Sequence, residues 1–413
     1  MDKKIRMPAD LERVSTIHCP LNILMLSWEY PPHVVGGLSR HVYGLSVHLA
    51  ELGHEVHVVS LLRNDLPSYE KINGVHVHRV KPLNEQDEDF LSWIGGLNLA
   101  MAYKVEKLAD EYSFSIIHAH DWLVGTAAIA LKDSLSIPLL ATIHATEYGR
   151  NNGIYTEMQK FIHSKEQQLV TEADQVIVCS DYMVEEVTSI FDAASEKLAI
   201  IPNGVDLLNN REEESVELSP NLQDKKYIFS MGRIVKEKGF ETIIEAAAIA
   251  KELKLEYSFV IAGKGPMLDT YRRLIQEKHL EDKITFIGFV SEQQRNTFIQ
   301  NCEMVVVPSL YEPFGIVALE SMALGKPTIV SKTGGLKGIV KHLQTGMVMT
   351  PGDAKSLLEQ ILFIYKNPEK AAEMAKEGQL VMKSLYSWKR VALETSRIIE
   401  DTLLTQLVDA TEC

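Results

Sequence analysis

The sequence predicts an α/β protein of two doubly wound domains that face each other across a cleft. Three observations carry this. Short apolar runs rich in Val and Ile alternate with longer stretches of helical periodicity, the mark of parallel sheets covered on both faces. That rhythm breaks once, after IPNGVD (201–206), and then restarts. The chain has 413 residues, enough for two cores of about 200 residues each.

In the first half the strand runs are NILMLS (22–27), EVHVVS (55–60), SIIHAH (115–120), PLLATIH (138–144), QVIVCS (175–180) and LAIIP (198–202). Between the first two lies LSRHVYGLSVHLAELG (38–53), a helical pattern that Gly53 stops. The stretch 207–226 has many charges and few apolar residues, and reads as a linker or an irregular start to the second domain. The pattern then resumes with YIFSMG (227–232), YSFVIAG (257–263), ITFIGF (284–289), MVVVPS (304–309) and PTIVS (327–331). The closing 387–407 segment has apolar residues at spacings of three and four, as a helix does. The expected division is 20–205, 206–385 and a final helical segment 386–413.

A formal charge of −14 argues against a nucleic-acid backbone as partner, which calls for a basic face. Cys19, Cys179, Cys302 and Cys413 are scattered and form no CxxC pair, which suits a reducing cytoplasm and neither a disulfide frame nor a zinc site. No apolar run approaches the about 18 residues a membrane span needs, and the basic, polar N-terminus lacks the apolar core of a signal peptide. A cytoplasmic protein is expected, with peripheral contact to a membrane surface still compatible.

Ligands of open α/β sheets bind beyond the carboxyl ends of the strands, and every candidate site residue sits there. In EPFGIVALE (312–320), Pro313 and Gly315 place a helix start near Phe314 to Ile316. Its free N–H groups and dipole favour an anion such as a phosphate. Glu312 then lies in the loop, able to accept from sugar hydroxyls, and Glu320 lies within the helix, able to accept from a ribose. As isolated carboxylates the two would equally suit a dipole contact and a solvated helix face. GRIVKEKG (232–239) sets Arg233 and Lys238 on one loop, a fork and a point charge suited to a pyrophosphate. Gly36-Gly37 follows the first strand and lets backbone amides approach a phosphate.

Neither G-x-G-x-x-G nor a Walker loop occurs, which counts against NAD and ATP. His118, His120 and Asp121 at one strand end raise a metal. Residues along a strand alternate between faces, and on that ground shared ligation is not expected. The D-x-D of Asp87 and Asp89 follows no apolar strand and reads as a solvated acidic loop.

Together the E-x7-E of 312–320, the G-R-x-x-x-x-K-G loop, the IPNGVD junction and EYPPHVVGGLSRHV (29–42) resemble retaining glycosyltransferases of the GT-B fold. The nearest group holds glycogen and starch synthases and sucrose synthase, and the resemblance runs from Asn22 onward. It implies two Rossmann-like domains and transfer of a hexose from a nucleoside-diphosphate sugar, UDP- or ADP-glucose foremost, to a glucan, glycoside or envelope acceptor. No metal cofactor is implied. By resemblance, Arg233 and Lys238 hold the diphosphate with the amides around Gly36, Gly37, Phe314, Gly315, Ile316 and Val317. Glu312 binds the transferred sugar and Glu320 the ribose. His144, through its backbone carbonyl, lies near the reacting face, Asp121 and Asn203 border the acceptor, and the last helix braces the first domain.

Two positions depart from the bacterial glycogen synthases: Val35 stands where they carry Lys, and Arg40 where they carry an acid. GGLSRHV is closer to envelope and small-glycoside transferases. No carboxylate can be assigned as a covalent nucleophile, so front-face transfer within an ion pair is favoured over double displacement. The rival readings are a catalytically dead sugar-nucleotide binder acting as scaffold, and a sugar-nucleotide epimerase. The first would be marked by loss of Glu312, Arg233 or Lys238, all of which are present.

Overall fold

The structure, a computed structural model, describes residues 20–34, 36–63, 66–205 and 226–412. The N-terminal basic segment, Val35 and the linker stretch up to residue 225 lie outside these residues.

Two sheets form. The first contains β1 (Asn22–Leu26), β2 (Glu55–Leu61), β3 (Tyr69–Ile72), β4 (Val75–Val80), β5 (Ile116–His120), β6 (Leu139–Ile143), β7 (Gln175–Val178) and β8 (Leu198–Ile200). Its spatial order is β3-β4-β2-β1-β5-β6-β7-β8, and every pairing is parallel except β3 with β4. The second contains β9 (Ile228–Met231), β10 (Phe259–Ala262), β11 (Ile284–Gly288), β12 (Met304–Val307), β13 (Thr328–Ser331) and β14 (Met347–Met349), ordered β11-β10-β9-β12-β13-β14 and parallel throughout. These are the two Rossmann-like halves that the alternating runs predict.

The apolar runs become central strands for a simple reason. Helices cover both faces of a parallel sheet, so strand residues of either parity must be apolar. Ile23, Leu24, Met25 and Leu26 are all fully buried, and so are Met304, Val305 and Val306. Three strands fall outside the apolar runs. β3 is a partly exposed edge strand, YEKI, β4 carries His76, His78 and Arg79 between its valines, and β14 is three residues long.

Strand order fixes where a ligand can sit. In the first sheet the chain winds from β1 outward through β2 and then returns to β5 on the other side of β1. In the second it winds from β9 through β10 and returns to β12. Loops leaving neighbouring strands at such a reversal diverge to opposite faces and open a crevice. Gly36-Gly37 and Asp121 follow β1 and β5; Arg233 and Glu312 follow β9 and β12.

The last helix, Trp388–Glu412, packs on the first, Gly37–Glu51, and shares its core through Trp388, Val391, Ala392 and Ile399. Gly44 and Gly204 make room for the indole: a Cβ on either would lie 2.3 Å from the Trp388 ring. Among the described residues no helix is long and apolar enough to cross a membrane.

Candidate active site at the inter-domain cleft

In the second domain two loops are laced into one platform. The backbone N–H groups of Leu310 and Tyr311 both donate to the Glu237 carbonyl, at 2.8 and 3.2 Å. Gly239, at φ 67°, passes so close that a Cβ there would lie 2.1 Å from the Pro308 carbonyl oxygen. This brings Lys238 to Glu312. Nζ lies 2.7 Å from Oε2, and Ser309 Oγ donates to the same oxygen at 2.9 Å. A third turn fixes the backbone, with Gly335 N–H donating to the Glu312 carbonyl at 2.9 Å. Arg233 is not drawn into this pair. It is half exposed and salt-bridged to Glu237 at 3.0 Å.

The helix after Glu312 spans Ile316–Ala323, with Gly315 at φ 117° as its N-cap. The N–H groups of Ile316 and Val317 therefore have no acceptor inside the helix. Across the cleft the Gly36-Gly37 turn meets this helix start, since a Cβ on Gly37 would lie 2.7 Å from Ile316 Cδ1. A Cβ on Gly36 would meet nothing within 4 Å, and its N–H donates to Glu29 Oε2 at 3.2 Å.

Glu320 is buried rather than on a solvated face. Its Oε1 receives Arg295 Nη1 from its own domain and Arg40 Nη1 from the first domain, each at 2.7 Å. Among the described residues Oε2 is buried without a hydrogen-bond partner.

On the first-domain wall, Asp121 sits at φ 61° after β5 and accepts the His144 backbone N–H at 2.8 Å. Burial pushes its carboxyl up to about 6, with the Arg150 guanidinium and that N–H acting in the opposite direction. His144 is pushed down to about 3, by burial first and Arg150 second. Asn203 Oδ1 lies 2.6 Å from His41 Nδ1. His118 and His120, two residues apart, share a face of β5 with ring centroids 4.2 Å apart. Strand alternation thus separates Asp121 from the histidines but not the histidines from each other, so the two imidazoles lie on one face.

The ligating nitrogens of His41, His120 and His144 all lie within 4.8 Å of one another, so among the described residues these three are the cleft group that could hold a metal. A second such group, Glu55, His57 and His76, lies at the opposite end of the first sheet. There the two imidazoles stack with planes 5° apart, so their lone pairs do not converge on one point. Asp87 and Asp89 serve locally: Asp89 caps the helix Phe90–Ala109 through Ser92 N–H, and Asp87 accepts Asp89 N–H.

Tyr311, next to Glu312, reaches into the first domain. Its hydroxyl donates to Glu186 Oε1 at 2.9 Å, and Thr146 Oγ1 donates to the same oxygen at 2.6 Å. Neither Tyr311 nor Arg295 carries a sequence signal. Arg295 belongs to a polar helix, EQQRNTFIQN, that reads as solvated.

Residues 211–381 match the family model described as glycosyl transferases group 1, and residues 35–208 match glycosyltransferase family 4. A Methanocaldococcus jannaschii protein described as an uncharacterized glycosyltransferase is 36% identical over 92% of this chain and 97% of its own. The chain belongs to the glycosyltransferases of group 1 and family 4. This glycosyltransferase is also similar to the glycogen synthase of Mycobacterium tuberculosis, 32% identical over 92% of this chain and 94% of that protein. Among solved structures, Anabaena HepE in complex with UDP and glucose superposes with a TM-score of 0.73 at 20% identity, covering 92% of this chain and all of HepE. That likeness is one of fold, and the fold is GT-B.

Proposed function

We propose that this glycosyltransferase moves a hexose, with retention and without a metal, from a nucleoside-diphosphate sugar to a glucan, glycoside or envelope acceptor. UDP- and ADP-glucose are the foremost donors. The Lys238–Glu312 pair at the β9/β12 reversal carries the reading, because it sets a cation and a sugar-type acceptor side by side. The likeness to a glycogen synthase supports a glucosyl donor, and HepE holding UDP and glucose on the same fold supports a nucleotide one.

The chemistry follows from charge. As the anomeric carbon becomes oxocarbenium-like, the leaving diphosphate gains negative charge. Lys238 and Arg233, with the amides of Ile316, Val317 and Gly37, stabilise that charge where a metal would otherwise be needed. Lys238 has three N–H donors, so it can keep Glu312 and still meet a phosphate. Glu312 orients the transferred sugar. Asp121 holds the backbone of the turn bearing His144, which supports a role for that residue at the reacting face. Asn203, held by His41, borders the acceptor.

Thermal shift with a panel of nucleotide sugars tests this. A true donor raises the melting temperature by mass action. NMR of the product made from that donor should show the donor's anomeric configuration. A panel in which no nucleotide sugar stabilises the protein, or a product of inverted configuration, overturns the proposal.

A further inference from the structure

Arg40 marks a departure from the glycogen synthase pattern, and the proposed chemistry gives it no task. It lies on the first turn of the helix Gly37–Glu51, yet its Nη1 reaches Glu320, 280 positions away in sequence and in the other domain. Glu320 is thereby held on one oxygen by two guanidiniums, one from each side of the cleft, while its other oxygen is buried and has no partner. A buried carboxylate oxygen without a donor is costly to leave so.

We infer that Arg40 is a positioning residue for the nucleotide end of the donor: it clasps Glu320 across the closed cleft and turns the unpartnered Oε2 toward the ribose. The inference rests on the donor site proposed above and deepens it. Arg40 and Glu320 belong to different domains, so the contact exists only while the two faces meet. Nucleotide recognition and closure are therefore coupled through one carboxylate.

The sign of the effect follows from bond strength. Both contacts to the carboxylate are charge-assisted, but the guanidinium brings a full charge of its own and the hydroxyl none, so the guanidinium contact is the stronger. A ribose hydroxyl therefore does not evict Arg40 from Oε1; it takes the vacant oxygen. Arg40 assists the donor rather than competing with it.

The experiment is a double-mutant cycle on the full chain: wild type, Arg40→Ala, Glu320→Ala and the double variant, titrated calorimetrically with UDP and with ADP. For the nucleotide that binds wild type, Arg40→Ala should raise Kd by roughly tenfold, and Glu320→Ala at least as much. In the Glu320→Ala background, removing Arg40 should add little, since coupled neighbours are non-additive. Arg40→Lys should recover part of the loss, because one ammonium can replace the single Nη1 contact. With sugar donor, Arg40→Ala should raise KM more than it lowers kcat, a split that general loosening of the fold would not produce.

If Glu320→Ala weakens the nucleotide but Arg40→Ala leaves Kd unchanged or lowers it, Arg40 has no positioning role. Full additivity of the two losses overturns it as well. If Glu320→Ala itself has no effect on either nucleotide, the donor-site reading fails first and takes this inference with it.

Discussion

Lys238 Nζ stands 2.7 Å from Glu312 Oε2, joining the loop after β9 to the loop after β12 where the second sheet reverses its winding. Both side chains are partly buried, at 25% and 12% exposure, so the contact is shielded from solvent without being sealed. That suits a lysine that must hold a partner and still meet an incoming phosphate. Replacing Lys238 by Ala should lower kcat by on the order of 10²-fold or more, since a contact to the leaving diphosphate is strongest in the transition state. The melting temperature should move by only a few degrees. Steady-state rates at saturating donor check this, and an unchanged kcat would remove Lys238 from the chemistry.

Transfer should survive excess chelator, because fixed cations and helix amides supply the charge that a metal otherwise would. The measurement is the initial rate with and without EDTA. Its weight is increased by the convergence of His41, His120 and His144 in the cleft, a group able to take an ion. Abolition by EDTA and recovery with manganese would show that the reaction needs a metal.

Acid should unfold this protein early. Burial holds His41, His118 and His120 well below their usual range, His144 and His78 down to about 3, and His57 down to about 4. Below about pH 6.5 the unfolded chain takes up protons that these folded histidines refuse, so stability is lost as pH falls. Asp121 and Glu166, pushed up by burial to about 6 and about 8, act in the opposite sense. Their folded forms keep protons, and that contribution is lost as pH rises through those values. Six histidines outweigh two carboxyls. Each net proton is worth about 1.4 kcal/mol per pH unit. The melting temperature should peak near neutrality and drop steeply between about pH 6 and pH 5. A flat profile there would contradict the burial of these rings.

Trp388→Ala should cost about 3–5 kcal/mol, the usual range for emptying a large buried aromatic site. The indole is 6% exposed and seated against two glycines that no other residue can replace without collision. A urea titration measures the loss. A cost under about 1 kcal/mol would mean that the last helix does not brace the first domain.

Much of the fold is legible in the sequence, because central parallel strands must be apolar on both faces and so announce themselves as runs such as MVVV and NILML. β3 and β14 escape for the converse reason: an edge strand of YEKI composition and a three-residue strand carry too little apolar signal. The site divides in the same way. Loop residues such as Lys238 and Glu312 are marked by glycine and proline at fixed spacing, which turn chemistry demands. Glu320 is not, since its eight-residue separation from Glu312 places it on a helix but says nothing of which side is covered. What covers it is Arg40, from a helix in the other domain, and Arg295, from a helix that looks solvated. The histidine pair shows a further limit. Period-two alternation sorts residues onto faces, but only the sheet order shows that His120 meets His144 from the neighbouring strand's end.

The central claim is that Glu312 and Glu320 read different ends of one donor, the first the transferred sugar and the second the ribose. Their settings differ accordingly: Glu312 sits in the loop with Lys238 and Ser309, and Glu320 lies in the helix between two arginines. Free nucleoside diphosphate, which lacks the sugar, separates them most directly. Calorimetric titration with the diphosphate of the preferred donor should show Glu320→Ala weakening binding by roughly tenfold or more, with Glu312→Ala barely changing it. If Glu312→Ala weakens the free diphosphate as much as Glu320→Ala does, the two carboxylates do not divide the donor between them, and this account of the site is wrong.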